Sequence, residues 1–279
     1  MVRSMVILAA FLAGFGALGA AGCKTDTAKH KAAGNMHFNQ GEYDKARDEY
    51  RKAVTQSPND PGARTLLGNS LIELGEYEAA RVEFNAALSA ESDAPEAHRG
   101  MMTVISHTSE PGDPAAYAEY VSHAEAIIKQ RPKDKNAIVM AAAIMSEAAN
   151  PADEQSYAKA QAQAEAYLRR GLEIDDRDPK ILFHLALVYA RKGEVVVANR
   201  VVQRLRSVEP EAGFADYTAA VVYTIAGQRD NALAAVEALL AHGSIDPKTL
   251  LAKSSYLGPL HGEARFQQLV EAASQSRAQ

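Results

Sequence analysis

Apolar and small residues recur along most of this chain with the spacing of amphipathic α-helices. One helical pattern runs from Lys29 to Asn39, and a second runs from Glu42 to about Gln56. Gly41 suits the end of the first helix, and Pro58 prevents continuation of the second. The pattern predicts a helix–turn–helix unit. Similar patterns continue to near the C-terminus, which predicts an all-α fold.

The first unit returns after 34 residues. At five positions, four of the pairs keep the same residue type or an aromatic residue. The positions are Gly34, Ala46, Tyr50, Ala53 and Pro58, followed by Gly68, Ala80, Phe84, Ala87 and Ser92. A fixed period of this length is typical of stacked repeats, in which each unit buries its apolar face against its neighbours. It predicts an extended array that acts as a binding surface.

These units resemble the tetratricopeptide repeat. The resemblance rests on a Leu-Gly pair in helix A, a Gly at the turn, and Ala, an aromatic residue and Ala in helix B, with Pro at the exit. In the second unit these are Leu67, Gly68, Gly75, Ala80, Phe84 and Ala87. Near the C-terminus the pattern returns in Leu185, Ala186, Tyr189, Gly193, Ala198 and Pro210, and 34 residues later in Ala219, Ala220, Tyr223, Gly227 and Ala232.

The resemblance implies an α-solenoid of about six repeats with a C-terminal helical cap. In the cap, Phe266, Leu269 and Val270 are predicted to pack back on the last repeat. The predicted segments are a signal peptide (1–22), a tether (23–28), two regular repeats (27–94), two divergent repeats with inserted turns at 108–114 and 148–153 (95–178), two further repeats (179–244), and cap helices with a tail (245–279).

The N-terminus has the pattern of an export signal. Arg3 precedes an apolar stretch, Val6 to Leu18, and small residues lead to Cys23, the one cysteine of the chain. The segment resembles a bacterial lipoprotein signal. That resemblance implies cleavage after Gly22, acylation of Cys23 with fatty acids such as palmitate, and, because Lys24 follows, sorting to the periplasmic face of the outer membrane. An uncleaved membrane anchor and ordinary cleaved secretion are the alternatives.

Composition and motifs argue against several classes of function. The net charge is −5 and no basic run occurs, which argues against nucleic acid binding. The eight His residues are scattered without metal-ligand spacing, and no HExxH, GxSxG, P-loop or GxGxxG motif is present. We predict no catalytic residues, metal, cofactor or small-molecule substrate. The alternative is an enzyme with its site in the middle inserts, where the titratable residues are His107, Glu110, Asp113 and Asp153.

Helix A lines the inner groove in proteins of this family, and the resemblance therefore nominates groove residues. These are Lys31, Asn35, Phe38 and Asn39 in the first repeat, Thr65, Asn69, Ile72 and Glu73 in the second, and Phe183, Leu187 and Val221 in later repeats. An Asn amide can both donate to and accept from a peptide backbone, although Asn is also simply common at this place. Lys31 and Asn35 match part of a carboxylate clamp, but the following units do not complete it. The later residues suggest an apolar partner surface.

These observations predict a non-enzymatic scaffold, lipid-anchored in the outer membrane, that binds an envelope protein or peptide segment. By family analogy, the sharpest hypothesis is a pilotin-like role in assembly of a type IV pilus secretin. The alternative among binding proteins is an adaptor for a periplasmic protease, a murein enzyme or an outer-membrane assembly machine.

Overall fold

A computed structural model describes residues 26–110, 113–209, 213–243, 246 and 255–276. The predicted signal peptide, with Gly22 and Cys23, lies outside the described residues. The described residues form helices joined by short turns. Their bounds are α1 26–39, α2 Tyr43–Gln56, α3 Pro61–Glu73, α4 Tyr77–Ala90, α5 Pro95–Thr108, α6 Pro114–Gln130, α7 Lys135–Ala148, α8 Glu154–Ile174, α9 Pro179–Arg191, α10 Val195–Val208, α11 Gly213–Ile225, α12 Arg229–Ala241, a 3₁₀-helix Ser255–Leu260, and α13 Ala264–Ser276.

Within the described residues, consecutive helices pack in six pairs, which confirms the predicted all-α fold of helix–turn–helix repeats. We call the first helix of each pair helix A and the second helix B. The chain divides after Pro132 into two compact units. Unit 1 contains the pairs from α1 to α6, and unit 2 contains the pairs from α7 to α12 together with the cap. Within the described residues, no helix is both long and apolar enough to cross a bilayer.

The 34-residue period is interrupted because two B helices are longer than the rest. From the second repeat onward, helix A begins at residues 61, 95, 135, 179 and 213, so the spacing is 34, 40, 44 and 34 residues. The B helices of the middle repeats, α6 and α8, have 17 and 21 residues, whereas α2 and α4 have 14. The extra residues therefore extend helix B as well as the turn that precedes it.

Aspartates fix the start of several helices. Asp60, Asp134 and Asp178 each precede a helix A and accept a hydrogen bond from a backbone N–H of its first turn. Such a cap satisfies a donor that has no partner within the helix, and it typically stabilises a helix by about 1 kcal/mol. Pro61 and Pro179 follow two of these caps, at a position where proline loses no helical hydrogen bond.

The core depends on a buried stripe along each helix B. In α2 the stripe is Ala46, Tyr50 and Ala53, and these residues lie on one helix face because they are spaced by four and three positions. The same register recurs in the other B helices as Ala80, Phe84 and Ala87; Tyr120, Ala124 and Ile127; Ala164, Leu168 and Gly171; Ala198, Val202 and Leu205; and Ala232, Val236 and Leu239.

Glycines of helix A make room for the large residue of this stripe in unit 1. A Cβ on Gly68 would lie 2.7 Å from the Phe84 ring, and a Cβ on Gly34 or Gly100 would overlap Tyr50 or Phe84 more severely. Phe84 is fully buried and cannot move aside without disturbing its neighbours. The close contact between helices in unit 1 therefore requires an aromatic ring on one helix and no side chain on the other.

The fourth repeat exchanges these roles. Its helix B supplies the small residue, Gly171, and a Cβ there would lie 2.8 Å from Ile181 of α9 and 3.4 Å from Ile138 of α7. Size complementarity is thus retained while the large residue moves to helix A. This exchange explains why the glycine and aromatic signature is weak in the middle of the sequence.

The C-terminal cap packs as predicted. Phe266 and Val270 of α13 are buried in a cluster with Leu233 and Val236 of α12, and Leu269 packs against the same cluster. Arg265, Gln267 and Gln268 are exposed, whereas Glu263 is half-buried and pairs with Arg229. The last helix pair therefore has its apolar side covered.

Two histidines, the buried His98 and the half-buried His123, form a pair in unit 1. The Nδ1 atoms of His98 and His123 are 2.8 Å apart, and Nε2 of His98 lies 3.1 Å from the carbonyl oxygen of Ser92. A carbonyl only accepts, so the neutral His98 carries its proton on Nε2, and His123 donates from Nδ1. Burial, reinforced by the neighbouring His98, lowers the pKa of His123. His123 therefore favours its neutral form.

We expect Gly100→Ala to lower the free energy of unfolding by about 1–3 kcal/mol, because the new methyl group overlaps the buried Phe84 ring. This loss should outweigh the gain of up to about 1 kcal/mol that Ala brings to a helix. Urea unfolding followed by circular dichroism measures the change. Gly262→Ala is the control, since its Cβ would meet no atom within 4 Å. An unchanged or higher urea midpoint for Gly100→Ala would show that the close approach is unimportant.

We also expect the stability of unit 1 to fall as His123 becomes protonated. Because its folded pKa is lowered, the unfolded chain takes up this proton more readily once the pH drops below about 6.5. The contribution of neutral His123 to the free energy of unfolding is fully retained above that pH and is lost as the pH falls through the folded pKa. His123→Gln should show a smaller drop in urea midpoint between pH 7.5 and 5.5 than the wild type. His107→Gln, at an exposed position of α5, should retain the wild-type drop. Equal drops in all three proteins would contradict this account.

Candidate functional site: the A-face of unit 1

The first helices of unit 1 form a recess on the side of the repeats where the A helices lie. Its volume is about 290 Å³, and its lining residues come from α1, α2 and α3. Four of them, Asn35, Phe38, Asn39 and Asn69, were predicted from the sequence as groove residues. Tyr50 and Leu66 complete the lining. We call this surface the A-face of unit 1.

Asn35 is oriented by the core. The Tyr50 hydroxyl donates a hydrogen bond of 2.8 Å to Oδ1 of Asn35. Burial raises the pKa of Tyr50 to about 12, so the phenol keeps its proton and remains a donor. With Oδ1 engaged in this way, the NH₂ group of Asn35 is left as a donor at the recess. A buried residue of helix B thus determines which hydrogen bonds this amide can offer.

The other lining residues supply apolar surface and a second amide. Phe38 is half-buried and contacts Tyr43 edge-to-face, with ring centroids 5.2 Å apart. Leu66 is half-buried beside the core of unit 1, and Asn69 lies one repeat after Asn35. Asn39 is exposed. The recess therefore combines two equivalent amides with an aromatic and an aliphatic side chain.

Lys31 forms an ion pair at the start of α3. Its Nζ lies 3.0 Å from Oδ2 of Asp60, while Oδ1 of Asp60 caps α3 through Ala63. Burial opposes ionisation of Asp60, but the hydrogen bonds from Ala63 and Lys31 outweigh it and lower its pKa. Lys31 therefore ties α1 to α3, and it does not line the recess.

The groove candidates of the second repeat are placed differently from one another. Glu73 is exposed at the end of α3, and Ile72 is half-buried against the core of unit 1. Thr65 is buried, and its hydroxyl donates to the Pro61 carbonyl within the same helix. The prediction that Thr65 offers a groove contact is therefore corrected, because its polar group is already satisfied inside α3.

The apolar candidates of unit 2 are covered. Leu187 and Val221 have no exposed surface, and Phe183 is 8% exposed. All three belong to one buried cluster with Leu257 and Leu260 of the 3₁₀-helix. The expectation that they form an open apolar surface needs correction. These three residues do pack against an apolar segment, as predicted for a partner, but that segment belongs to the C-terminal region of the same chain.

The residues of the enzyme alternative have structural contacts. Asp113 and Asp153 accept backbone hydrogen bonds at the starts of α6 and α8. His107 stacks on Tyr77, with ring centroids 4.6 Å apart, and Glu110 is exposed. Among the described residues, no three His, Cys, Asp or Glu side chains are grouped closely enough to hold a metal ion.

Sequence reasoning missed two parts of the site and one histidine pair. Tyr50 was identified only as a position of the 34-residue repeat, because its bond to Asn35 spans 15 positions and crosses a helix turn. Leu66 was not among the predicted groove residues. The partners His98 and His123 lie 25 positions apart. A helix-pair geometry applied to the repeat would have brought Tyr50 near Asn35, whereas no pattern along the chain signals the histidine pair.

A tetratricopeptide repeat family matches residues 37–102, the part of unit 1 that includes most of the recess. Residues 37–102 are thus similar in sequence to tetratricopeptide repeats. The helix pairs of the remaining described residues have the same all-α repeat architecture.

Other comparisons extend over more of the chain. Cellulose synthase operon protein C of Pseudomonas fluorescens (strain SBW25) is 25% identical over 177 residues, which cover 63% of this chain. The match spans only 13% of that relative's length. A tetratricopeptide repeat protein from Parabacteroides merdae is similar in structure over 90% of this chain and 93% of its own, with a TM-score of 0.69 and 12% identity.

A further solved structure is that of PilW, described as a widely conserved type IV pilus biogenesis factor. It is similar over 84% of this chain and 97% of its own, with a TM-score of 0.57 and 15% identity. At these identities, the two structural likenesses show the fold alone. That fold is generally a scaffold for protein–protein interaction.

Proposed function

We propose that this protein is a non-enzymatic scaffold whose unit 1 A-face binds an extended segment of another protein. The observation that carries the proposal is the recess between α1, α2 and α3, in which Asn35 and Asn69 flank Phe38 and Leu66. Amides one repeat apart offer hydrogen bonds to a peptide backbone, and the two apolar residues offer a contact for a side chain.

The size of the recess favours a peptide over a small-molecule substrate. Its volume of about 290 Å³ is at the lower limit of typical small-molecule pockets, which are about 300–1,000 Å³. One or two side chains of a peptide fit such a space while the backbone continues along the repeats. The orientation of Asn35 by Tyr50 further favours a partner that presents a carbonyl oxygen to its NH₂ group.

We place this surface at the cell envelope. The support is the lipoprotein-like end of the apolar N-terminal stretch, where Gly22 precedes Cys23 and Lys24 follows. Two or more acyl chains on Cys23 would hold the protein firmly, since each buried CH₂ contributes about 0.8 kcal/mol and one chain alone is marginal. Attachment to the periplasmic face of the outer membrane is part of this proposal.

The sharpest form of the proposal is a pilotin-like role, in which the protein assists assembly of a type IV pilus secretin. Its support is the combination of an N-terminus that resembles a lipoprotein signal with a fold similar to that of the pilus biogenesis factor PilW. An adaptor for a protease, a murein enzyme or an outer-membrane assembly machine would use the same surface with a different partner.

The binding surface is tested by affinity purification from detergent-solubilised envelope, with bound proteins quantified by mass spectrometry. We expect a secretin to be recovered with the wild type. Asn35→Ala with Asn69→Ala should lower its recovery at least tenfold, since two hydrogen bonds of about 1 kcal/mol each are lost. Asn85→Ala, an exposed position of α4, is the control and should bind like the wild type.

A protease or murein enzyme recovered in place of a secretin would support the adaptor role and reject the pilotin-like one. Equal recovery of the same partner by wild type and the double variant would reject the A-face of unit 1 as the binding surface.

The lipid attachment is tested separately by labelling cells with radioactive palmitate. We expect the full-length protein to carry the label and Cys23→Ser to carry none, because Cys23 is the one cysteine available for acylation. Palmitate on the Cys23→Ser protein, or its absence from the wild type, would reject the lipid anchor and leave the groove proposal untouched.

A further inference from the structure

The A-face of unit 2 is covered by a segment of the same chain. The 3₁₀-helix Ser255–Leu260 packs on α11, and its residues Leu257 and Leu260 are buried in the cluster that contains Phe183, Leu187 and Val221. We call Tyr256–Leu260 the covering segment. The covering segment lies on the same side of the A helices as the recess of unit 1.

Equivalent positions of helix A reveal the match between the surface and this segment. The spacing of the A helices places one position at Asn35, Asn69, Thr103, Ala143, Leu187 and Val221. The first four side chains are exposed or half-buried, and three of them are polar. The last two are aliphatic and fully buried beneath the covering segment. The sequence at this position is therefore apolar where the surface is covered.

The helix A position four residues earlier also differs between the two units. It holds Lys31, Thr65 and Arg99 in unit 1, and Val139, Phe183 and Tyr217 in unit 2. The rings of Phe183 and Tyr217 are stacked, with centroids 6.2 Å apart, and the ring centroid of Phe214 lies 5.4 Å from that of Phe183. Unit 2 thus presents an aromatic platform on its A side, in contrast to the charged and hydroxyl side chains of unit 1.

The covering segment uses this platform through one aromatic and two leucine contacts. The Tyr256 ring meets Phe183 edge-to-face, with centroids 6.0 Å apart, and its hydroxyl donates a hydrogen bond to Glu147 of α7. Leu257 is fully buried and Leu260 is 2% exposed, while Gly258 and Pro259 between them are exposed. The contacts are those of a short peptide laid across several A helices.

We propose that the covering segment is an intramolecular ligand, which closes a second protein-binding surface on unit 2. The partner of that surface is a segment of another protein with the same chemistry: an aromatic residue able to donate to Glu147, followed by leucines on either side of a turn. Such a partner binds by displacing residues 256–260.

The covering segment and the cap share one buried cluster, but the segment packs on α11, whereas α13 packs on α12. A 3₁₀-helix has poorer hydrogen-bond geometry than an α-helix and is used in short pieces. The following helix, α13, has its own contacts with α12 through Phe266 and Val270. Release of the covering segment can therefore uncover the A-face while α13 still covers the last repeat.

The proposal is tested on the full chain with a fluorescein-labelled synthetic peptide that has the sequence of residues 253–262. Fluorescence polarisation measures its Kd. Because a binding-competent state that is rarely populated weakens the apparent affinity in proportion, the wild type should bind weakly. Tyr256→Ala, which weakens the covering segment, should bind at least tenfold more tightly. Tyr256→Phe, which loses only the bond to Glu147, should fall between them.

Two controls test whether the gain in peptide affinity is specific to Tyr256 and to the peptide sequence. Tyr157→Ala makes the same change on α8 of unit 2 and should leave the peptide affinity at the wild-type value. A peptide with serine at the positions of Tyr256 and Leu257 should not bind any of the proteins. Circular dichroism should show that Tyr256→Ala retains the helical signal and cooperative unfolding of the wild type.

Three results would overturn the proposal. They are equal affinity of wild type and both Tyr256 variants, no detectable binding to any of them, and a wild-type dimer in light scattering that Tyr256→Ala converts to a monomer, which would assign the segment to a second copy. None of these results bears on the A-face of unit 1, because the probe and the variants involve unit 2 alone.

Discussion

The contact between an aromatic ring and a glycine determines how closely the helices of unit 1 approach. Phe84 lies against both Gly68 of its own repeat and Gly100 of the next, so a single buried ring fixes two helix contacts. Interiors of this density transmit any change in size to their neighbours. The positions of the A helices, and therefore of every side chain on the A-face, depend on this contact.

Tyr50 shows how the same contact reaches the candidate site. It occupies the place of Phe84 in the first repeat, against Gly34, and its hydroxyl also holds the Asn35 amide. Core packing and binding chemistry thus meet in one residue. The burial that raises the pKa of Tyr50 also keeps the hydroxyl protonated, so the orientation of Asn35 does not change over the physiological pH range.

At equivalent positions of helix A, unit 1 has polar side chains and unit 2 has apolar ones. In unit 1 the A-face carries amides beside a small recess. In unit 2 the same register carries Leu187 and Val221, and residues 257 and 260 bury them. A backbone of stacked helix pairs tolerates either chemistry on this side, because the core contacts lie on the stripe of helix B. One architecture can therefore offer a polar surface in one unit and an apolar, covered surface in the other.

The sequence by itself determined the all-α repeat, the turns and the amphipathic cap. These features depend on neighbours within a few residues, as with Gly41 and Pro58, or on a fixed period, as with Gly34 and Gly68. The pattern also found most of the recess, because Asn35 and Asn69 share a register. The tertiary structure decided which apolar A-face residues are accessible. The burial of Leu187 by Leu257 and the pairing of His98 with His123 join residues that no local period connects. Such contacts depend on where the folded chain returns, and that is settled only when the helices pack.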